Sequence, residues 1–181
     1  MIKDFDLLQR ANNDYTTIDL EHAEELAYRE LIDSIRYIPL GDECGVMGNI
    51  ANIITYKGRF YIQEEQFDRV FIYDDTGRCL KKIDNKGRGP GEYLRIESID
   101  INTEKEELML VDGMSDKLFF YDLDGNFKSI HSIRYFQTEN TLCLRDSVFL
   151  HISAPSQNFG NEGLYGYALV LSKGNENFLK G

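Results

Sequence analysis

Val70-Phe71-Ile72-Tyr73-Asp74-Asp75-Thr76-Gly77 returns 48 residues later as Leu118-Phe119-Phe120-Tyr121-Asp122-Leu123-Asp124-Gly125. A fainter third copy, Ala168-Leu169-Val170-Leu171-Ser172-Lys173-Gly174, follows 49 residues after that. A fixed period of this size marks an array of one supersecondary unit, each stacked on the next. The repeat therefore constrains the fold before any single residue does.

Each unit reads as strands. In the first, Arg59-Phe60-Tyr61-Ile62-Gln63 is rich in β-formers, and a polar connector, residues 64–68, follows. Arg69-Val70-Phe71-Ile72-Tyr73 comes next, then the turn Asp75-Thr76-Gly77, then Arg78 to Ile83. The second unit keeps that order with Glu107 to Val111, Lys117 to Tyr121 and Phe127 to Ile130. One more apolar stretch precedes each, Ile50 to Tyr56 and Ile96 to Ile101, making four strands per unit. Gly77 and Gly125 fit hairpin positions that need positive φ. In Val70 to Tyr73 and Leu118 to Tyr121 both alternating positions are apolar, so these strands should be covered on both faces. Four-stranded units buried on both sides fit the blades of an all-β propeller of antiparallel strands. A β-sandwich, the other all-β architecture with short strands and glycine turns, does not demand the period.

The expected organisation is an N-terminal extension over residues 1–34, with a short helix from about Asp19 to Ile32, and blades over 35–181. Blade 1 should cover about 48–84, blade 2 about 95–133 and blade 3 about 141–181. Ser34 to Leu40 alternates and reads as a further strand. Propellers close with about four to eight blades, so three blades read as a fragment, a truncated product or a half-ring that needs a partner.

Net charge is −11, which disfavours nucleic acid, since acidic surfaces repel phosphates. No apolar run approaches the roughly 18 residues of a membrane span, and the first residues lack the apolar core of a signal peptide. Cys44, Cys79 and Cys143 are odd in number with no C-x-x-C pair, so neither a disulfide framework nor a zinc site is expected. Cys79 reads as a small buried hydrophobe.

The sharpest local motif is Gly87-Arg88-Gly89-Pro90-Gly91-Glu92-Tyr93. It lacks the Gly-Lys-Ser/Thr of a phosphate loop and the helix-opening glycine of a dinucleotide site. It reads instead as the sharp connection between blades. Asp122-Leu123-Asp124-Gly125-Asn126 suggests a calcium loop, but Phe120 and His131 stand where that loop needs carboxylates. A hairpin turn accounts for it. His22, His131 and His151 form no ligand motif, and there is no nucleophile elbow. No catalytic residue, metal ligand or cofactor is assigned.

The GRGPGEY segment, preceded by Tyr73 to Ile83 with its Tyr-Asp-x-x-Gly turn, resembles the bacterial six-bladed β-propeller family related to NHL-repeat propellers. Residues 31–40 resemble the strand before that family's first blade. The resemblance implies a six-bladed ring about twice this long, and a periplasmic, envelope or extracellular location. Little activity transfers with it.

The function expected is a non-enzymatic binding or scaffold module whose ligand is a glycan or peptide. In a propeller the connectors from second to third strand share one rim with the blade-to-blade connectors. That rim would carry Glu64, Asp68, Arg69, Arg88, Glu92, Tyr93, Arg95, Asp112, Asp116 and Lys117, polar groups on loops held by a rigid scaffold. Asp68-Arg69 and Asp116-Lys117 recur one period apart, which equally suits bracing of each blade. Two alternatives stand beside this. One is a truncated fragment without independent function, self-associating through exposed blade faces or an edge strand. The other is a metal-dependent lyase or lactonase with ligands in the central channel, where Asn52 and Asp100 are the aligned polar pair.

Overall fold

The computed structural model describes residues 32–133, 140–145, 148–152, 169–173 and 176–180. The chain divides into two compact units, Met1–Tyr37 and Ile38–Gly181. Of the first unit only residues 32–37 are described, and they form neither strand nor helix. The expected N-terminal helix lies outside the described residues but for Ile32.

In the second unit the described residues form twelve strands in three antiparallel sheets. Blade 1 is β1 (Ile50–Tyr56), β2 (Arg59–Glu64), β3 (Arg69–Asp74) and β4 (Cys79–Ile83), in sequential order. Blade 2 is β5 (Ser98–Asn102), β6 (Glu107–Asp112), β7 (Lys117–Asp122) and β8 (Phe127–Ser132). Blade 3 is β9 (Asn140–Arg145), β10 (Val148–Ile152), β11 (Leu169–Lys173) and β12 (Glu176–Lys180). The fold is all-β, as the repeat implies, and its sheets are propeller blades. The period extends to irregularities: the β3–β4 ladder slips between Ile72 and Tyr73, and β7–β8 slips at the equivalent Phe120 and Tyr121.

Burial explains the apolar runs. On β3, Val70 and Ile72 join Tyr61 and Ile83 in a core shared with Ile99, Leu108, Leu110, Phe119 and Tyr121 of blade 2. The alternate residues Phe71 and Tyr73 turn to the opposite face of blade 1. Blade 2 does the same: Met109, Val111, Leu118 and Phe120 leave for a second core with Ile133 and Phe149. A middle strand with neighbours on both sides needs apolar side chains at every position, which is why no polar alternation appears.

Two expectations are corrected. Ser34 to Leu40 is not a strand. Instead, from Ile38 onward the chain runs past the β3–β4 turn, where the Gly41 N–H donates to the Gly77 carbonyl at 2.7 Å and the Tyr73 hydroxyl donates to the Gly41 carbonyl. Cys44 and Met47 then pack on the Ile62, Phe71 and Tyr73 face. That path brings Cys44 to Cys79, and the two form a disulfide with Cα atoms 5.9 Å apart. Cys79 is buried but bonded, not a free hydrophobe. The 35-residue separation gave no sign of the pairing, because only the folded-back connector makes these cysteines neighbours. Cys143 is the free thiol, and burial pushes it up to about 11.

The β3–β4 turn requires its glycine twice over. Gly77 has φ +89°, and a Cβ there would lie 2.1 Å from the Pro39 carbonyl oxygen. Gly77→Ala should therefore lower stability by about 2 kcal/mol through left-handed strain and displacement of the connector. Urea unfolding measures it, and an unchanged midpoint would contradict this packing.

Candidate binding rim

Loops leave the blades at two ends. At one end lie the β1–β2, β3–β4, β5–β6 and β7–β8 turns; at the other lie the β2–β3 and β6–β7 connectors with the blade-to-blade segment, residues 84–97. The sequence-expected rim is the second end, and three of its carboxylates, Glu64, Asp68 and Asp112, are buried. Glu64 is fully buried and accepts the backbone N–H groups of Gln66 and Phe67. One period later, Asp112 accepts those of Met114 and Ser115 and the Ser115 hydroxyl. Each closes the connector that follows its own strand. Each is also the last residue of the second strand in its blade, a signal readable in the repeat.

Asp68 and Asp112 also hold the blade-to-blade segment. Asp68 accepts the Ile96 N–H at 3.1 Å and pairs with Lys86, and Asp112 accepts the Leu94 N–H at 2.7 Å. Asp68 and Asp116 share left-handed backbone, with φ +56° and +53°. Burial, followed by the neighbouring Asp112 charge, pushes the Asp116 carboxyl up. Gln63, unnoticed in the sequence, donates to the Ile96 and Glu97 carbonyls.

Tyr93 is the keystone of the GRGPGEY segment. It is fully buried and meets Phe119 edge-on, with ring centroids 6.0 Å apart. Its hydroxyl accepts the Asn85 N–H at 3.1 Å and donates to the Asp68 carbonyl at 2.8 Å. Burial pushes its phenol far above the ordinary value. Tyr93→Phe should cost about 2 kcal/mol, because it strands a buried donor and acceptor while keeping the ring; thermal unfolding reads it directly. Glu92 turns back into its own loop and accepts the Gly89 N–H at 2.7 Å. A Cβ on Gly87 would lie 1.9 Å from that carboxylate. The motif's glycines thus make room for an internal anion, which fills the loop that a phosphate would need.

The remaining rim groups face outward. Arg88 and Arg95 are exposed, Arg95 beside Glu97 at 3.3 Å. Arg69 pairs with Asp84 and lays its guanidinium 4.4 Å from the centre of the Phe67 ring. Lys117 is half-buried. Phe67 and Met114, at the tips of the two equivalent connectors, are exposed apolar side chains that the sequence-based rim omitted.

The opposite end holds an open cleft of about 450 Å³ lined by Lys57, Arg59, Glu106, Leu123 and Asp124. Its charges are spent between blades. Lys57 pairs with Glu106, Arg59 with Asp124 at 2.7 Å, and Arg59 and Tyr61 both donate to the Leu123 carbonyl. The inner-strand acid Asp100 is likewise committed, accepting the Cys143 N–H at 2.6 Å. Burial pushes its carboxyl up. Among the described residues no three His, Cys, Asp or Glu side chains converge as a metal site, and no helix is long and apolar enough to cross a membrane.

These features define a module of propeller blades whose loops are braced from within. The chain belongs to the family described as Domain of unknown function (DUF4934), whose model matches residues 15–180. No curated protein matches the sequence. Among solved structures it is similar to a Bacteroides fragilis protein described as exported, with a TM-score of 0.71 and 19% identity over 82% of this chain and 42% of that one. It is also similar to U3-55K, with a TM-score of 0.52 and 12% identity over 73% of this chain and 39% of the other. The RRP9 WD40 repeats give 0.50 and 10%, over 72% and 37%. At these identities the likeness is one of fold, and the chain spans about two fifths of the length of each of these structures.

Proposed function

We propose that this chain is a non-enzymatic binding or scaffold module of a six-bladed, NHL-like propeller, exported from the cytoplasm, and that it takes a peptide or glycan on the rim carrying Phe67, Arg88, Arg95 and Met114. The observation that carries the rim assignment is the division of labour among its side chains. Glu64, Asp68, Tyr93 and Asp112 turn inward and hold the connectors, while an aromatic, a thioether and two guanidinium groups are left facing solvent on a braced frame. Rigid loops presenting aromatic and arginine groups suit recognition, since little ordering entropy is lost on binding. The folded-back connector supports export, because a disulfide such as Cys44–Cys79 persists in oxidising compartments. The similar Bacteroides fragilis protein is itself described as exported.

Peptide and glycan arrays probed with the purified chain test the rim. Binding should be lost in the Phe67→Ala/Arg88→Ala variant and kept in Lys57→Ala, which alters only the opposite end. Loss in Lys57→Ala with retention in the rim variant would overturn the assignment.

A further inference from the structure

The GRGPGEY loop does not stay on the rim. Gly91 reaches the outer strand of blade 2, where a Cβ on it would touch the edge of the Phe127 ring at 4.0 Å. Phe127 opens β8 and is 46% exposed, with Tyr121 edge-on beside it at 5.7 Å between ring centroids. Tyr121 is buried in the core shared by blades 1 and 2, yet its hydroxyl has no hydrogen-bond partner. The side chain of exposed Asn85 lies close enough to act on the phenol without closing that bond. Burial pushes the phenol up to about 12, so it stays a donor at neutral pH. Blade 1 forms the opposite wall. Lys81 on β4 pairs with Ile72 of the shared core, so both face blade 2. Its stem crosses Gly125, two residues before Phe127: a Cβ there would lie 2.8 Å from the Lys81 Cγ. Lys81 is exposed and forms no ion pair among the described residues. The same holds for Arg88, because Glu92, the acid of its own loop, is turned onto the Gly89 N–H. The recess lies between two blades of this chain and not on an end face.

We propose that this recess, on the outer side of the joint between blades 1 and 2, binds a carboxylated sugar. Phe127 takes the apolar face of the sugar ring. Asn85 and the Tyr121 hydroxyl take its hydroxyl groups, directly or through one water, and Lys81 and Arg88 take the carboxylate. Side chains do the recognising, because the loop's backbone donors are already engaged. The Gly87 N–H donates to the Tyr93 carbonyl at 2.9 Å, that of Glu92 to Gly89 at 3.1 Å and that of Tyr93 to Asn85 at 3.2 Å, while Gly89 donates to the Glu92 carboxylate. A phosphate cradled by the loop would need those donors free, and so would an extended peptide paired along it. A hydroxylated ring with one negative charge needs only an aromatic face, neutral hydrogen-bonding groups and cations without carboxylate partners. It also gives the buried Tyr121 hydroxyl the bond that it lacks. At a net charge of −11 the rest of the surface repels anions, which confines such a ligand to the recess. The recess gives the glycan reading of the function a defined chemistry but does not rest on the rim. Arg88 is common to both, whereas Phe67 and Met114 belong to the rim alone.

Isothermal titration of the full chain with trigalacturonate tests the recess, with the methyl ester of that sugar as the uncharged counterpart and inorganic phosphate and a pentaglutamate peptide as competitors. Trigalacturonate should bind, and its ester should bind about tenfold more weakly. Lys81→Ala and Phe127→Ala change exposed side chains, so each should keep the wild-type circular dichroism and weaken binding by about tenfold. Tyr121→Phe should weaken binding yet leave the urea midpoint in place, because the hydroxyl has no partner within the chain to lose. That behaviour separates it from Tyr93→Phe. Phe67→Ala should bind the sugar as the wild type does. No heat of binding at ~10 mM sugar, equal affinity for the ester, tighter binding of phosphate or of the peptide, or full retention in Phe127→Ala or Tyr121→Phe overturns the proposal. Loss of binding in Phe67→Ala would put the sugar on the rim and refute a separate recess.

Discussion

Removing the Cys44–Cys79 bond, by reduction or by a Cys44→Ala/Cys79→Ala change, is expected to lower stability by about 4 kcal/mol. The bond links residues 35 apart, and loop-closure entropy removed from the unfolded chain reaches about that size for such a loop. Its effect in the native state is local. The connector it fastens is otherwise held by the Gly41–Gly77 and Tyr73–Gly41 hydrogen bonds and by Glu43, which accepts the Cys79 N–H at 3.3 Å. Without the bond, the connector should release before the blades do, uncovering the face that holds Ile62, Phe71 and Tyr73. Thiol titration in denaturant should find one reactive cysteine per chain before reduction and three after. Urea midpoints with and without reductant then give the energy. Three thiols without reductant, or coincident midpoints, would remove both the bond and the argument for export built on it.

Acid should destabilise the fold well above the range in which ordinary carboxylates titrate. His151 is buried in blade 3, its Nδ1 2.9 Å from the Thr141 hydroxyl and its Nε2 2.7 Å from the Ser172 hydroxyl. Burial lowers its pKa from 6.5 to about 4. The unfolded chain therefore takes up a proton that the folded chain refuses. The contribution is complete above about pH 6.5 and is lost as the pH falls toward 4, approaching about 3 kcal/mol. Asp100 acts in the opposite sense. Its raised pKa means that acid relieves a buried charge, so it offsets part of the loss. His151→Gln keeps hydrogen-bonding capacity and cannot titrate. Its stability at pH 7 should fall, while the dependence between pH 6.5 and 4 flattens. If the variant keeps the wild-type slope, the acid-sensitive group lies elsewhere.

The residues that reveal the blades in the sequence are those whose environment repeats. Val70 to Tyr73 and Leu118 to Tyr121 must be apolar at every position because each lies between two packed faces, and that need is visible without coordinates. Gly77 and Gly125 likewise announce their turns, since only glycine takes their φ at no cost. The rim was legible as a place but not as chemistry. Glu64, Asp68 and Asp112 read as surface acids, because a carboxylate looks the same in sequence whether it meets solvent or three backbone N–H groups.

Local pattern thus determined the strands, their turns, the four-stranded unit and its recurrence, all of which depend on side-chain alternation and backbone conformation within a few residues. Tertiary structure alone decided which cysteines bond, that Glu92 fills its own loop, and that Glu64, Asp68 and Asp112 are buried. Those outcomes depend on distances between segments tens of residues apart, and such distances exist only once the blades have stacked.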